Sequence, residues 1–395
     1  MAFFRPTILD SFKGYKQAYF YEDVLAGITV GVVALPLAMA FAIASGLKPE
    51  AGIYAAIVGG LLVALLGGTK VQIAGPAGAF IVIVYGIVDR YGVANLLLAT
   101  SLSGIFLFLM GVFRLGTLVR FIPIAVIVGF TNGIAVLIIL SQIRDLLGLQ
   151  IDKVPSQFFS LAQSLYQEIG TFNPFAIFLS LASLAILVIW RINKKRFGML
   201  GNVPGTIFVL IAATLTTSIL SLPIETIGSR FGGIPSSLPS PQWLGISWES
   251  AQFLIAPAMT LALLGAIESL LCARIADGLT HSRHQPNQEL MGQGIANFCV
   301  PFLGGMPVTG TIARTVTNIE SGARTPISAI VHSLTLLLII ILAAPLAKDI
   351  PLACLAAILI YIAWNMGEWN KFIDFKQFRM PYRITMISVF LLTVM

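Results

Sequence analysis

Two charged residues set in apolar sequence, and two short glycine- and proline-interrupted stretches, carry the chemistry of this chain. The first charge is Arg314, inside residues 304–325, G-G-M-P-V-T-G-T-I-A-R-T-V-T-N-I-E-S-G-A-R-T. Pro307 interrupts that stretch, and residues 309–322 read as a helix too short to cross a membrane alone. The second stretch, K-V-Q-I-A-G-P-A-G-A from Lys70, leads into another short helix over residues 75–89. A helix that begins at mid-depth presents unpaired N–H groups and about half a unit of positive charge. Two such starts facing one another make an anion cradle. Gly75, Gly78, Gly304, Gly305 and Gly310 let a ligand or a neighbouring helix approach the backbone. Arg314 adds a fixed cation whose planar fork suits an oxyanion. Burying an arginine in lipid costs at least about 2.5 kcal/mol, so it needs a ligand or a partner. Glu268, in A-L-L-G-A-I-E-S-L-L-C-A, is the second charge. It either pairs with Arg314 or loads and releases a proton, and its residue type leaves both open.

The elements that must position these groups are membrane helices. The chain has 395 residues, is 57% hydrophobic and only 10% charged, far from the roughly 25% charge of soluble domains. Its fold class is an all-α polytopic membrane protein. Spans of about 20 apolar residues fall at 24–46, 51–68, 93–113, 121–147, 174–190, 204–220, 251–276, 289–303, 326–346 and 352–364. Residues 381–395 begin another span without completing it, which reads as truncation of the last spans. Residues 1–23 read as a cytosolic segment with no cleavable apolar core, so the first span is also the anchor.

Counting each short stretch as one crossing places Arg5, Lys13, Lys16, Lys70, Arg114, Arg120, Arg191, Lys194, Lys195, Arg196, Arg274, Arg283, Arg324, Lys371, Lys376, Arg379 and Arg383 on one side. The other side receives only Lys48, Arg90, Arg144, Lys153, Arg230 and Lys348. That asymmetry puts the N-terminus in the cytoplasm and explains the +7 net charge without nucleic acid. The two interrupted crossings recur at matching places with opposite orientation, as in an inverted-repeat transporter. The expected organisation is a first repeat over 24–221, an extracytoplasmic linker over 222–250 and an incomplete second repeat over 251–395.

Other candidates carry less. Cys272, Cys299 and Cys354 lie in apolar runs, which implies neither disulfides nor a zinc site. Asp277, His281 and His284 lie in a basic loop where charges are solvated at no cost, so neither a metal centre nor a membrane hydrolase is expected. Asp89, Arg90 and Asp145 fall at span ends. Trp190, Trp243, Trp248, Trp364 and Trp369 fall near span ends or in loops, as an interfacial belt would place them.

Five stretches resemble the sulfate permease (SulP) family of anion transporters. They are D-V-L-A-G-I-T-V-G-V-V-A-L-P-L-A-M-A-F-A from Asp23, Q-I-A-G-P-A-G-A-F from Gln72, G-A-I-E-S-L-L-C-A-R-I-A-D-G from Gly265, N-Q-E-L-M-G-Q-G-I-A-N from Asn287 and T-G-T-I-A-R-T-V-T-N-I-E-S-G-A-R-T-P from Thr309. The resemblance implies a 7+7 inverted-repeat fold with core and gate domains, a homodimer, an elevator-like movement and a cytosolic STAS domain that this chain lacks. It also implies an anion site on Phe41, Ala77, Gly78, Gly310, Thr311, Ile312, Ala313 and Arg314, with Glu268 at the coupling position. Leu37 stands where some relatives carry a Gln, which removes one possible ligand contact. Cys272 stands where sodium-coupled relatives have a threonine oxygen, and hard cations want oxygen ligands. Proton coupling or exchange therefore fits better than sodium coupling. The expected activity is secondary transport of a small oxyanion, sulfate first, with bicarbonate or a C4-dicarboxylate as alternatives. No enzyme activity, cofactor or metal is expected. An anion channel on the same scaffold is the alternative of another class. A nucleobase carrier would want neutral hydrogen-bonding groups in place of Arg314.

Overall fold

The structure is a computed structural model that describes residues 4–12, 15–117, 123–151, 155, 157–193, 196, 204–236, 240–241, 243–245 and 248–394. Lys13, Arg120, Lys153, Lys194 and Lys195, which entered the loop-charge count, lie outside those residues, as does the side chain of Trp248. Six described helices are long and apolar enough to cross a membrane: Gln17–Ala44, Pro49–Leu66, Gly78–Val112, Ile124–Leu147, Pro174–Asn193 and Ala251–Thr280. Shorter apolar helices cover Gly205–Leu220, Leu352–Met366 and Met380–Val394. Leu181, Ile192, Leu342 and Leu392 are each more than half exposed. Bulky apolar side chains turned outward from several helices suit lipid as the surrounding medium. The chain is a multi-pass membrane protein.

The chain folds as two compact units, each drawn from both halves of the sequence. The first comprises Met1–Arg120 and Pro235–Ala344. Its helices cross where glycine removes the side chain. A Cβ on Gly27 would lie 2.4 Å from the Ser328 carbonyl oxygen, and one on Gly31 would lie 2.8 Å from the Thr335 Cβ. This Gly-x-x-x-Gly seam on Gln17–Ala44 packs against Ile327–Ala343. A Cβ on Gly104 would likewise lie 2.6 Å from the Gly294 carbonyl oxygen, which fixes Ile81–Val112 against Pro286–Cys299.

Both interrupted stretches lie in this unit. Each contributes a two-residue strand, β1 (Ala74–Gly75) and β2 (Thr309–Gly310), paired antiparallel with Ala74 opposite Gly310 and Gly75 opposite Thr309. A helix follows each strand, from Gly78 after β1 and over Ile312–Glu320 after β2. The helix after β1 is broken by Gly92 (φ +82°), which separates the short segment from the span beginning at Val93. Residues 75 and 309, taken above as helix starts, are strand residues. The ladder consumes them before either helix can begin. The first helix, expected from residue 24, begins at Gln17, and the span expected from 289 begins at Pro286. In both cases polar residues continue a helix beyond its apolar run. The second helix contains a π-helical segment, Ala55–Gly59.

The second unit comprises Phe121–Ile234 and Pro345–Met395. Ile124–Leu147 crosses Met380–Val394 at Gly129, whose Cβ would lie 2.4 Å from the Met386 carbonyl oxygen. Phe158–Gln167 is an additional short helix that hydropathy did not mark. Inside the expected linker, Ile227–Phe231 forms a helix closed by a Thr226–Ser229 capping box. The Ile227 N–H donates to the Ile350 carbonyl at 2.9 Å. Asp145, expected at an interface, pairs with Arg230 at 2.8 Å.

Candidate functional site

The ladder brings the two helix starts together. The Thr311 N–H and hydroxyl both donate to the Ile73 carbonyl at 2.9 Å, and the Ile73 N–H donates to Thr315 Oγ1 at 3.0 Å. Antiparallel strands send the following helices away in opposite directions, so their N-terminal turns meet at the ladder. Gly310 is obligatory there, because a Cβ would fall 2.0 Å from Gln72 Nε2.

Arg314, third in the Ile312–Glu320 helix, reaches across this junction. Its Nη2 donates to the Pro76 carbonyl at 3.2 Å. Its Cζ lies 5.9 Å from the centroid of the Phe41 ring. The side chain is 2% exposed, yet Nε and Nη1 have no hydrogen-bond partner among the described residues. A Cβ on Gly75 would lie 2.6 Å from Nη1, so that glycine makes room for the guanidinium. Buried donors are normally satisfied, and a guanidinium with two free nitrogens beside two helix starts is equipped to accept an anion.

Phe41, Ala77, Gly78, Gly310 and Thr311 are buried around the junction, whereas Ile312 is half-buried and Ala313 is exposed. Glu268 is also half-buried and forms no ion pair with Arg314. The pairing left open by residue type is absent from this structure. Cys272, one turn on from Glu268, is buried and donates to Thr315 Oγ1 at 3.2 Å.

Sequence reasoning missed the support beneath the site. Glu289 is 0% exposed and forms no ion pair among the described residues. Its carboxylate accepts from the Gly68 N–H (2.9 Å), Thr69 Oγ1 (2.9 Å), Gln72 Nε2 (3.0 Å), Ser269 Oγ (3.1 Å) and Gln293 Nε2 (3.1 Å). Gln72 precedes β1 and Ser269 follows Glu268, so this network ties the strand to the helix that carries the second charge. Asn297 continues it, donating to the Val308 carbonyl at 2.8 Å and accepting from the Val308 N–H at 2.9 Å. The available signal was the four-residue spacing of Glu289, Gln293 and Asn297, which puts three polar groups on one face of a helix. Asp23, also fully buried, accepts from the Arg324 and Thr325 N–H groups at 2.7 and 3.0 Å. His332, fully buried in Ile327–Ala343, also escaped notice.

Away from this junction, Asp277 Oδ2 and His284 Nδ1 lie 2.7 Å apart. No group of three potential metal-ligating side chains occurs among the described residues.

Two helix starts meeting at one antiparallel ladder inside an apolar multi-helix fold place the chain in the class of membrane transport proteins. The chain belongs to the sulfate permease family, whose profile matches residues 20–388. It is 43% identical over 386 residues to YvdB of Bacillus subtilis (strain 168), a protein named for sulfate transport. That match covers 97% of this chain and 72% of YvdB. Similarity to the bicarbonate transporter BicA of Picosynechococcus sp. (strain ATCC 27264 / PCC 7002 / PR-6) is 31% over 382 residues, 94% of this chain and 66% of BicA. The solved transmembrane domain of a cyanobacterium BicA superposes with a TM-score of 0.88 at 29% identity, covering 96% of each chain. Murine Slc26a9 shares the fold, with a TM-score of 0.86 at 17% identity over 98% of this chain and 68% of that one.

Proposed function

We propose that this chain is the membrane part of a secondary transporter of small oxyanions, with sulfate the first candidate. The observation that carries this reading is Arg314, buried at the meeting of two helix starts with Nε and Nη1 unpartnered. The anion sits against Arg314, Phe41, Ala77, Gly78 and residues 310–313, where two sets of helix-terminal N–H groups and one guanidinium oppose its charge. These elements belong to one compact unit, so an elevator-like movement can carry the site as a body. The protein lies in the cell membrane as a homodimer, with its N-terminus in the cytoplasm.

Glu268 serves as the proton-coupling group, giving symport, or as a standing counter-charge in an exchanger. That it forms no ion pair among the described residues favours the first. Cys272 spends its thiol on Thr315 and offers no oxygen to sodium.

Labelled-sulfate uptake by the purified full-length chain in proteoliposomes, with and without a pH gradient, tests the reading. Arg314→Ala should abolish saturable uptake while the protein remains folded; wild-type affinity in that variant would overturn the site. Glu268→Gln should lose accumulation driven by the pH gradient and keep exchange, and unchanged proton-driven uptake would remove its coupling role. The likeness to BicA favours bicarbonate as the second reading. Competition of bicarbonate, succinate and fumarate against labelled sulfate separates the candidates.

A further inference from the structure

His332 is 0% exposed, and neither ring nitrogen has a hydrogen-bond partner among the described residues. Its place relative to Arg314 can be read from two glycines. A Cβ on Gly60 would lie 3.1 Å from the Ala74 carbonyl oxygen and 3.7 Å from His332 Nδ1. A Cβ on Gly75 would lie 2.6 Å from Arg314 Nη1 and 3.6 Å from Ala56. Ala56 and Gly60 lie four residues apart in the second helix, across its π-helical segment, and Ala74 and Gly75 are neighbours in β1. The imidazole and the guanidinium therefore both approach strand β1 and the second helix. Residues 24–44 of the first helix hold no titratable side chain, and Asp23 before them is engaged with residues 324 and 325.

Four buried polar atoms near β1 thus stand without hydrogen-bond partners among the described residues: Nε and Nη1 of Arg314, and Nδ1 and Nε2 of His332. A buried polar group left alone costs about 1–3 kcal/mol, and native structures leave few such groups. A compartment with this many free polar atoms is built to hold something polar.

We propose that His332 belongs to the anion site, sharing a buried polar compartment with Arg314 and donating its ring N–H to the bound oxyanion. A water molecule takes the anion's place when the site is empty. The inference rests on the Arg314 site proposed above and adds a specificity-determining residue to it. An imidazole N–H gives one directed donor, whereas its other nitrogen accepts when the ring is neutral. The pair therefore distinguishes a fully deprotonated oxyanion, which only accepts, from one such as bicarbonate, which also carries an O–H.

The test compares sulfate affinity, the sulfate-to-bicarbonate affinity ratio and the melting temperature in anion-free detergent. It uses the full-length protein and its His332→Met, His332→Gln and Arg314→Ala variants. His332→Met should weaken sulfate binding about tenfold or more, the worth of one hydrogen bond to a charged group, and leave the melting temperature unchanged or higher. His332→Gln, which restores a donor and an acceptor, should recover part of the affinity with an altered ratio. Wild-type affinity and ratio in His332→Met would overturn the proposal, and a lower melting temperature beside them would assign the histidine to a structural water instead. If His332→Met does not fold, the ratio in His332→Gln decides, and an unchanged ratio overturns the proposal. Loss of binding in Arg314→Ala but not in the His332 variants refutes this inference alone. Retention in Arg314→Ala refutes the site on which it rests.

Discussion

Arg314 costs free energy where it lies, and single neighbouring atoms determine whether it can do its work. Gly75 shows this most sharply: Gly75→Ala would place a methyl 2.6 Å from Nη1. The guanidinium is the flexible partner and would move first. The expected outcome is an increase of about tenfold in the KM for sulfate, with thermal stability near wild type, measured by uptake and by unfolding in detergent. Glu289 behaves oppositely. Its five donors are neutral and buried, so Glu289→Ala strands several of them at once. A loss of about 3 kcal/mol or more is expected, seen as a lower melting temperature. Glu289→Gln should be intermediate, because its amide nitrogen meets donors where the carboxylate met them as an acceptor.

At the scale of elements, short helices are held by close crossings and by buried acceptors at their ends. Gly27→Leu would drive a side chain into the Ser328 carbonyl and Val331. It should prevent close packing of the first helix against Ile327–Ala343 and sharply reduce the yield of folded protein, read by size-exclusion profile. Asp23 fastens the same pair about one turn earlier, just before Ile327–Ala343, through residues 324 and 325. The Tyr15 hydroxyl also donates to Asp23, at 3.0 Å. Burial first, then that hydrogen bond and the nearby negative charge, push the Tyr15 phenol up to about 12 from 10.0. The folded state then holds this proton more tightly than the unfolded chain. The associated stability is complete below about pH 10 and is lost as pH rises towards about 12. Tyr15→Phe should flatten that part of the alkaline stability profile, measured by thermal unfolding across the range.

At the scale of the whole molecule, the charge asymmetry of the loops makes a directional prediction. Lys48 and Lys70 are both exposed, and the Pro49–Leu66 helix lies between them in the chain. In a background lacking Cys299, Lys48→Cys should react with a membrane-impermeant maleimide added outside intact cells. Lys70→Cys should react only after permeabilisation. The opposite pattern would invert the proposed topology.

Much of this was legible in the residues because lipid is an unforgiving solvent. A bilayer core accepts apolar helices and little else, so spans such as 174–190 and 204–220 announce themselves by composition. Pro307, Pro76 and the glycines around them marked the two breaks, since backbone interruptions at depth persist only beside a cavity or buried in protein. Arg314 stood out because its burial in lipid has a large cost. What composition could not show is which polar atoms meet. The sequences around Glu289 and His332 do not say what each side chain will meet, and only packing buried them. The absence of a Glu268–Arg314 pair is likewise a matter of ångströms between helices far apart in the chain. The sequence by itself determined that this is a helical membrane protein with two interrupted stretches, the second carrying an arginine among apolar residues. Only the tertiary structure decided that a two-residue ladder joins those crossings, that a neutral network holds Glu289 beneath them, and that Arg314 and His332 keep polar atoms free. Local sequence governs what a segment can bury, whereas the partner each buried polar atom finds depends on long-range contacts.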